Sequence, residues 1–258
     1  MNRLTDADFW SKRWKANKGK KRAFSYDDNE QIEMLKFALR EVPEGGSLLE
    51  LGGAPGTMAI LQSRARPDLK IDTLDISDEG VRQLNEIYAS GNLNGEAFQQ
   101  DFFEKGNLGS RYDAVTSFGL VEHFTDLPEV INAHIQFVRS GGVVYISIPN
   151  YSTPVVQRLI NLFSHETVRT HNLSIMDPGV LKRQAELIGG KVITTGAFGY
   201  PKLPHSAFNP SLLGFFYHIF AKGFNVFSLG MVKIFGKSYS RFMWKRNVFV
   251  VISVQEEQ

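Results

Sequence analysis

Leu49-Glu50-Leu51-Gly52-Gly53-Ala54-Pro55-Gly56-Thr57 is the stretch on which the reading of this 258-residue chain turns. A short apolar run, Ser47–Leu51, ends in a glycine-rich turn, and a helical pattern follows from Thr57 to Arg64. Glycine admits backbone conformations closed to other residues and lets a ligand come close, while the amides that open a helix face whatever lies there. A dinucleotide fingerprint would place glycines at 52, 54 and 57, and a Walker loop would close on Lys-Ser/Thr. Ala54 and Thr57 break the first pattern, and the second ending is absent.

Working outward, Lys70–Asp75 reads as a second strand and Glu79–Tyr88 as the helix after it. Strands are expected at Ala97–Gln99 and Tyr112–Ser117, then a helix from Pro128 carrying Val130, Ile131, Ile135 and Val138. Val143–Ile148, entered through Gly141–Gly142 and left at Pro149, is the most strand-like run. Pro178–Ile188 reads as a helix, and Lys191–Thr195 and Val248–Val254 as the last two strands. Upstream, Ile32, Leu35, Ala38 and Leu39 recur at helical spacing. This alternation predicts an α/β fold with a doubly wound, mostly parallel sheet of seven strands. Residues 1–45 form an N-terminal helical lid and 46–258 one catalytic domain, with 200–246 a helical insertion before the last strand.

The net charge of +2 conceals a separation. Residues 1–22 carry eight basic and two acidic side chains, residues 23–199 carry 14 and 23, and residues 200–246 carry seven basic, no acidic and twelve aromatic residues. There is no cysteine, which excludes a disulfide scaffold, a thiolate metal site and a cysteine nucleophile, and fits a cytoplasmic home. The first twenty residues show no apolar secretory core.

Glu50-x-Gly-x-x-x-Gly followed by Asp75 resembles the first motif of class I S-adenosylmethionine-dependent methyltransferases. The resemblance spans roughly residues 47–196. It implies S-adenosyl-L-methionine as cofactor, with Asp75 receiving the ribose hydroxyls at the end of the second strand and Ile76 beside it. By the same resemblance Glu50 orients the methionine end, directly or through water, and Gly52, Gly53, Ala54 and Gly56 line the amino-acid moiety. Asp101 and Phe102 resemble the adenine-binding acid and its stacking partner, and Phe118 and Gly119 pass under the methionine. Trp10 and Trp14 match the family's N-terminal aromatic lid, or else pack on the core.

Methyl transfer from a sulfonium asks chiefly for alignment, and an alcohol acceptor also gains from a base within hydrogen-bond reach. His123, in Glu122-His123-Phe124, and His171, in the loop before Pro178–Ile188, are the candidates; each has a plain structural alternative as a packing or surface residue. In the quinone-biosynthetic branch a second acid three residues before the Glu helps bind a metal; Gly119 stands there, so no metal is expected.

The acceptor is expected to be a small molecule, a glycan or a lipid-linked molecule, methylated at oxygen. N- or C-methylation of a metabolite, a nucleic-acid or protein acceptor, and a non-catalytic scaffold are the alternatives. Nucleic acid is not expected, because the core is acidic and the Asn/Asp-Pro-Pro-Tyr/Phe tetrapeptide of base methylation is replaced by Ser117-Phe118-Gly119-Leu120. In the insertion Leu212, Phe215, Phe216, Ile219 and Phe220 share one helical face. Three roles for it stay open: a cap over the acceptor, a homodimer interface, or a peripheral membrane surface in which Lys222, Lys233, Lys237, Arg241, Lys245 and Arg246 meet anionic lipid. A transmembrane span is not expected, because only eleven uncharged residues follow Pro210.

Overall fold

Ser47–Leu51 forms β1, and its alternating side chains enter two different cores. In this computed structural model, which describes residues 3–18, 26–91, 93–104, 108, 112–204, 211–236 and 244–254, the sheet has seven strands. They are β1, β2 (Lys70–Asp75), β3 (Ala97–Gln99), β4 (Tyr112–Phe118), β5 (Val138–Pro149), β6 (Lys191–Phe198) and β7 (Asn247–Ser253). The order is β3-β2-β1-β4-β5-β7-β6, with β7 antiparallel to both neighbours and every other pairing parallel. Sequential order reverses between β1 and β4, so the crevice at their carboxyl ends is the place where such a sheet takes a ligand.

Helices cover both faces. On one, Leu49 and Leu51 join Val115, Val144 and Ile146 beneath Val130 and Ile131 of α5 (Leu127–Ile135) and Leu181 and Ala185 of α8 (Pro178–Leu187). On the other, Leu48, Ile71, Ala114 and Tyr145 pack under Leu35 and Leu39, at and just beyond the end of α2 (Tyr26–Ala38), and under Ala59 and Leu61 of α3 (Thr57–Ala65). The continuous apolar runs of the central strands follow from burial on both faces. The remaining helices are α1 (Ala7–Asn17), α4 (Asp78–Ala89), α6 (Pro154–Phe163), α7 (His165–Thr170) and α9 (Leu212–Phe235).

Local chemistry sets the helix starts. The side chains of Ser77, Asp126, Asp177 and Ser211 accept backbone N–H groups in the first turns of α4, α5, α8 and α9. One boundary departs from the sequence reading: Val138 opens β5 rather than closing α5. The chain turns at Gln136–Phe137, and Val138 then pairs with Tyr112 of β4. The insertion also differs, since α9 continues through Lys222 and Lys233 for 24 residues, with a mean hydropathy of 1.2 in its most apolar window. By length and composition alone it could cross a membrane. His205, Asn209, Pro210, Lys237 and Arg241 lie outside the described residues.

Gly56 opens α3 at φ +91°, and a Cβ there would lie 2.5 Å from Ile87 Cδ1. Gly56→Ala is expected to lower the unfolding free energy by about 1–3 kcal/mol in urea denaturation. A wild-type midpoint would refute this account of the turn.

Candidate functional site

The carboxyl ends of β1, β2 and β4 open into a cavity of about 390 Å³. On the sheet side it is lined by Gly52, Ala54, Leu74, Asp75, Ile76, Asp101, Phe102, Phe118 and Gly119. Asp75, at the end of β2, accepts the Ala54 N–H at 3.1 Å and the Ser77 N–H at 2.9 Å. Burial raises its carboxyl to about 6 against those two bonds, so a further donor on the cavity side would relieve a desolvated charge. Gly52, at φ +70°, turns the chain so that its own N–H reaches the Leu74 carbonyl at 2.7 Å, drawing the turn against β2. Asp101 accepts the Phe103 N–H at 3.0 Å and pairs with Arg3. Phe102 beside it is packed by Phe103, Phe124 and His134.

The N-terminal segment forms the opposite wall. Arg3, Thr5, Phe9, Trp10, Arg13, Trp14 and Asn17 line the cavity. Leu4 N–H donates to the His123 carbonyl at 2.9 Å, Ser11 Oγ reaches Asp78 at 2.5 Å, and Arg13 pairs with Glu166 at 3.0 Å. Trp10 stacks on Trp14 and meets the His123 ring edge-on at 4.9 Å. Two buried polar atoms have no hydrogen-bond partner among the described residues: Trp14 Nε1 and Glu122 Oε2. Both residues line the cavity but both atoms are closed off from solvent, so the group the site offers to an occupant is the Asp75 carboxylate, held by backbone donors alone. These features fit a polar, hydroxyl-bearing cofactor.

Glu122, His123 and His171 bring one ligating atom each within 4.8 Å of one another. Burial raises the Glu122 carboxyl to about 8. His123 is lowered to about 3, first by burial and then by His171 beside it. Burial likewise lowers His171 to about 4. His171 Nδ1 lies 3.1 Å from the Thr167 carbonyl, which can only accept. Nδ1 therefore carries the proton and Nε2 keeps its lone pair. The arrangement can do two things chemically: take a proton, or offer two nitrogens and an oxygen to a divalent cation. The latter stands against the sequence expectation of no metal, with Gly119 still supplying no second acid.

Eight of the sequence-derived cofactor positions line this cavity; Glu50, Gly53 and Gly56 do not. Glu50 is buried under the turn, where it accepts Gln62 Nε2 at 2.7 Å, while Gln62 Oε1 accepts the Thr116 hydroxyl at 2.7 Å. Desolvation pushes its carboxyl well up, so its place is inside the sheet-to-α3 packing rather than on the cavity wall. Gly53 is where a Cβ would meet Thr73 at 2.9 Å, and Gly56 faces Ile87; both are required by packing. His123 and His171 are brought together, with ring centroids 4.6 Å apart. Arg3 and Glu122 were missed as site residues. The unexplained basic charge of the N-terminus was the available signal for Arg3.

Comparison with known proteins gives four likenesses. A family model described as a methyltransferase domain matches residues 25–195. Ribosomal RNA small subunit methyltransferase C of Vibrio cholerae is 19% identical over 109 residues, 40% of this chain and 32% of that protein. The chain thus spans about a third of the length of the curated relatives it matches. Among solved structures, geranyl diphosphate C-methyltransferase from Streptomyces coelicolor A3(2), in complex with Mg2+, geranyl diphosphate and S-adenosyl-L-homocysteine, aligns at TM-score 0.55 and 14% identity over 89% of this chain and 78% of that one. The [4+2]-cyclase SpnF aligns at TM-score 0.62 and 9% identity over 100% and 99%. Likeness at these identities is of fold, and the second name is not that of a methyltransferase.

The buried carboxyl of Glu122 gives a pH test. Its folded value, about 8, lies above its ordinary value of 4.5, so its contribution to stability is complete below 4.5 and is lost as pH rises toward 8. Glu122→Gln is therefore expected to gain stability relative to wild type between pH 5 and pH 8, in paired urea melts. A difference independent of pH would show that Glu122 does not titrate as buried.

Proposed function

Since the chain belongs to the family of class I S-adenosylmethionine-dependent methyltransferases, we propose that it transfers a methyl group to an oxygen of a small molecule, glycan or lipid-linked acceptor. One observation carries the choice of oxygen: an uncharged histidine pair, His123 and His171, on the cavity wall that also holds Asp75 and the glycine turn. When bound, S-adenosylmethionine supplies an electrophilic methyl on sulfur. Asp75 would accept hydrogen bonds from the ribose hydroxyls, Phe102 and Asp101 would bound the adenine side, and Trp10, Trp14 and Arg3 would exclude water from the opposite wall.

His171 would receive the acceptor's hydroxyl proton on Nε2 as that oxygen gains the methyl and the methyl–sulfur bond breaks, its electron pair staying on sulfur in the neutral thioether product. A base lowered to about 4 suffices here, because a hydroxyl oxygen that is gaining a methyl becomes strongly acidic. The low value also keeps the imidazole uncharged and ready across the physiological range. Neutral Glu122 is placed to donate a hydrogen bond to the acceptor or to His123. Methylation at nitrogen or carbon is the second reading: a deprotonated amine would need no base, which leaves the two histidines without a role, whereas a carbon acceptor would also give up a proton to one of them.

Calorimetry separates the parts. Asp75→Ala is expected to weaken S-adenosylmethionine binding by roughly 10- to 100-fold, the loss of hydrogen bonds to a charged group; unchanged affinity would sink the ribose contact. His171→Ala is expected to keep cofactor affinity and to slow transfer from labelled S-adenosylmethionine by about 10²-fold or more, across a panel of hydroxylated acceptors. A variant that transfers at the wild-type rate would remove the general base from this account.

A further inference from the structure

Helix α9 carries its side chains inside out. The face turned to the protein presents Gly214, Tyr217, Ala221, Ser228 and Val232, mostly small or polar. Tyr217 and Ala221 pack on Val156 and Ile160 of α6, and Tyr217 stacks on Phe163 at 4.6 Å. The polar groups of this face are satisfied locally: Tyr217 donates to the Pro204 carbonyl at 2.6 Å, Asn225 bonds both backbone groups of Leu203, and Ser228 donates to the Pro201 carbonyl. The large residues point outward. Leu212, Phe216, Ile219, Phe220, Val226, Phe227 and Ile234 fall on one stripe, and with Leu213, Phe215 and Phe235 they are 52–74% exposed. A Cβ built at Gly223 or Gly230, on the same stripe, meets nothing within 4 Å.

The area is large. At about half exposure, the five phenylalanines alone leave roughly 500 Å² uncovered, given roughly 150–250 Å² per aromatic side chain. That is already near the upper end of the largest apolar patch on a monomer, about 300–600 Å². Lys222 and Lys233, both exposed, fall along one edge of the stripe. The whole segment 200–246 has seven basic residues and no acid.

We propose that α9 is an in-plane membrane anchor, its outward stripe seated in the acyl–headgroup boundary of an anionic phospholipid bilayer and its lysine edge on the headgroups. Two features select this occupant. Charge complementarity favours an anionic surface over a second copy of the chain, which would bring two acid-free basic segments together. The bonds from Tyr217, Asn225 and Ser228 fix the inner face to residues 201–204, so the helix lies along the protein surface and does not run through the bilayer. The anchor is also coupled to the site: Tyr151 packs against the same cluster as Tyr217, and its ring lies 6.2 Å from that of His171. The proposal stands independently of which atom is methylated.

Flotation of the full chain with vesicles tests it. Vesicles of phosphatidylcholine with 30% phosphatidylglycerol should carry the protein upward, and pure phosphatidylcholine should carry at least tenfold less. Phe216→Glu/Phe220→Glu/Phe227→Glu should stay at the bottom while binding S-adenosylmethionine as wild type does, which shows that it is folded. Lys222→Gln/Lys233→Gln should partition more weakly by about fivefold per lysine at low salt. These positions are exposed, so this pair keeps the test decisive if the triple variant fails to fold. Wild type that remains below anionic vesicles overturns the proposal, as does undiminished flotation of either variant. A wild-type dimer in sedimentation, split by the triple variant in a protein that does not float, assigns the stripe to a second copy instead.

Discussion

The carboxylate of Asp75 ties the site to the sheet. It takes one N–H from the turn after β1 and another from Ser77, the residue that caps α4. Ser77 in turn contacts Ser11 of α1 at 3.0 Å. Sheet edge, glycine turn, helix start and N-terminal wall therefore converge on one buried acid. Its ionised form is strained by burial, and the two backbone donors offset part of that cost. The glycines serve the same convergence: Gly52 lets the turn bond Leu74, while Gly53 and Gly56 let it settle against Thr73 and Ile87.

Around this clamp the polar interior is divided between structure and chemistry. Glu50, Gln62 and Thr116 form a closed buried chain that fixes α3 on the sheet. His134 bonds the Val130 carbonyl and the Ser117 hydroxyl, again with both nitrogens occupied inside the core. Glu122, His123 and His171 differ because they border the cavity, and Glu122 keeps an oxygen unmet among the described residues. Buried polar groups with complete partners specify the fold, whereas those left incomplete are free to meet a ligand.

The central strands were legible because β1, β2, β4 and β5 are largely apolar runs that end at or run into glycine, proline or acid, and the register of motifs along the sheet placed Asp75, Asp101 and Gly119 at its carboxyl edge. Val138 was misassigned since Val130, Ile131, Ile135 and Val138 keep helical spacing across the turn; periodicity does not register where a helix is capped. Glu50 stands off the cavity lining because its side chain turns toward Gln62 of α3, a direction that the motif alone does not reveal. Arg3 was hard to single out for a different reason: the basic charge of the N-terminus marked the segment but not the residue, and its partner Asp101 is 98 positions away. The spacing in α9 revealed an apolar stripe but not its direction, because a helix can bury its small residues and leave its large ones outside.

Helix α1 has no fully buried residue. It is fastened by a backbone bond near its start, by Ser11 to α4, by the Arg13–Glu166 pair and by Gln83 to the Trp14 carbonyl. Bonds of this kind contribute about 0.5–1.5 kcal/mol each, and no residue of α1 belongs to the cores on the two faces of the sheet. Solvent conditions that loosen surface polar contacts therefore act on this wall of the cavity before they reach the groups on its sheet side.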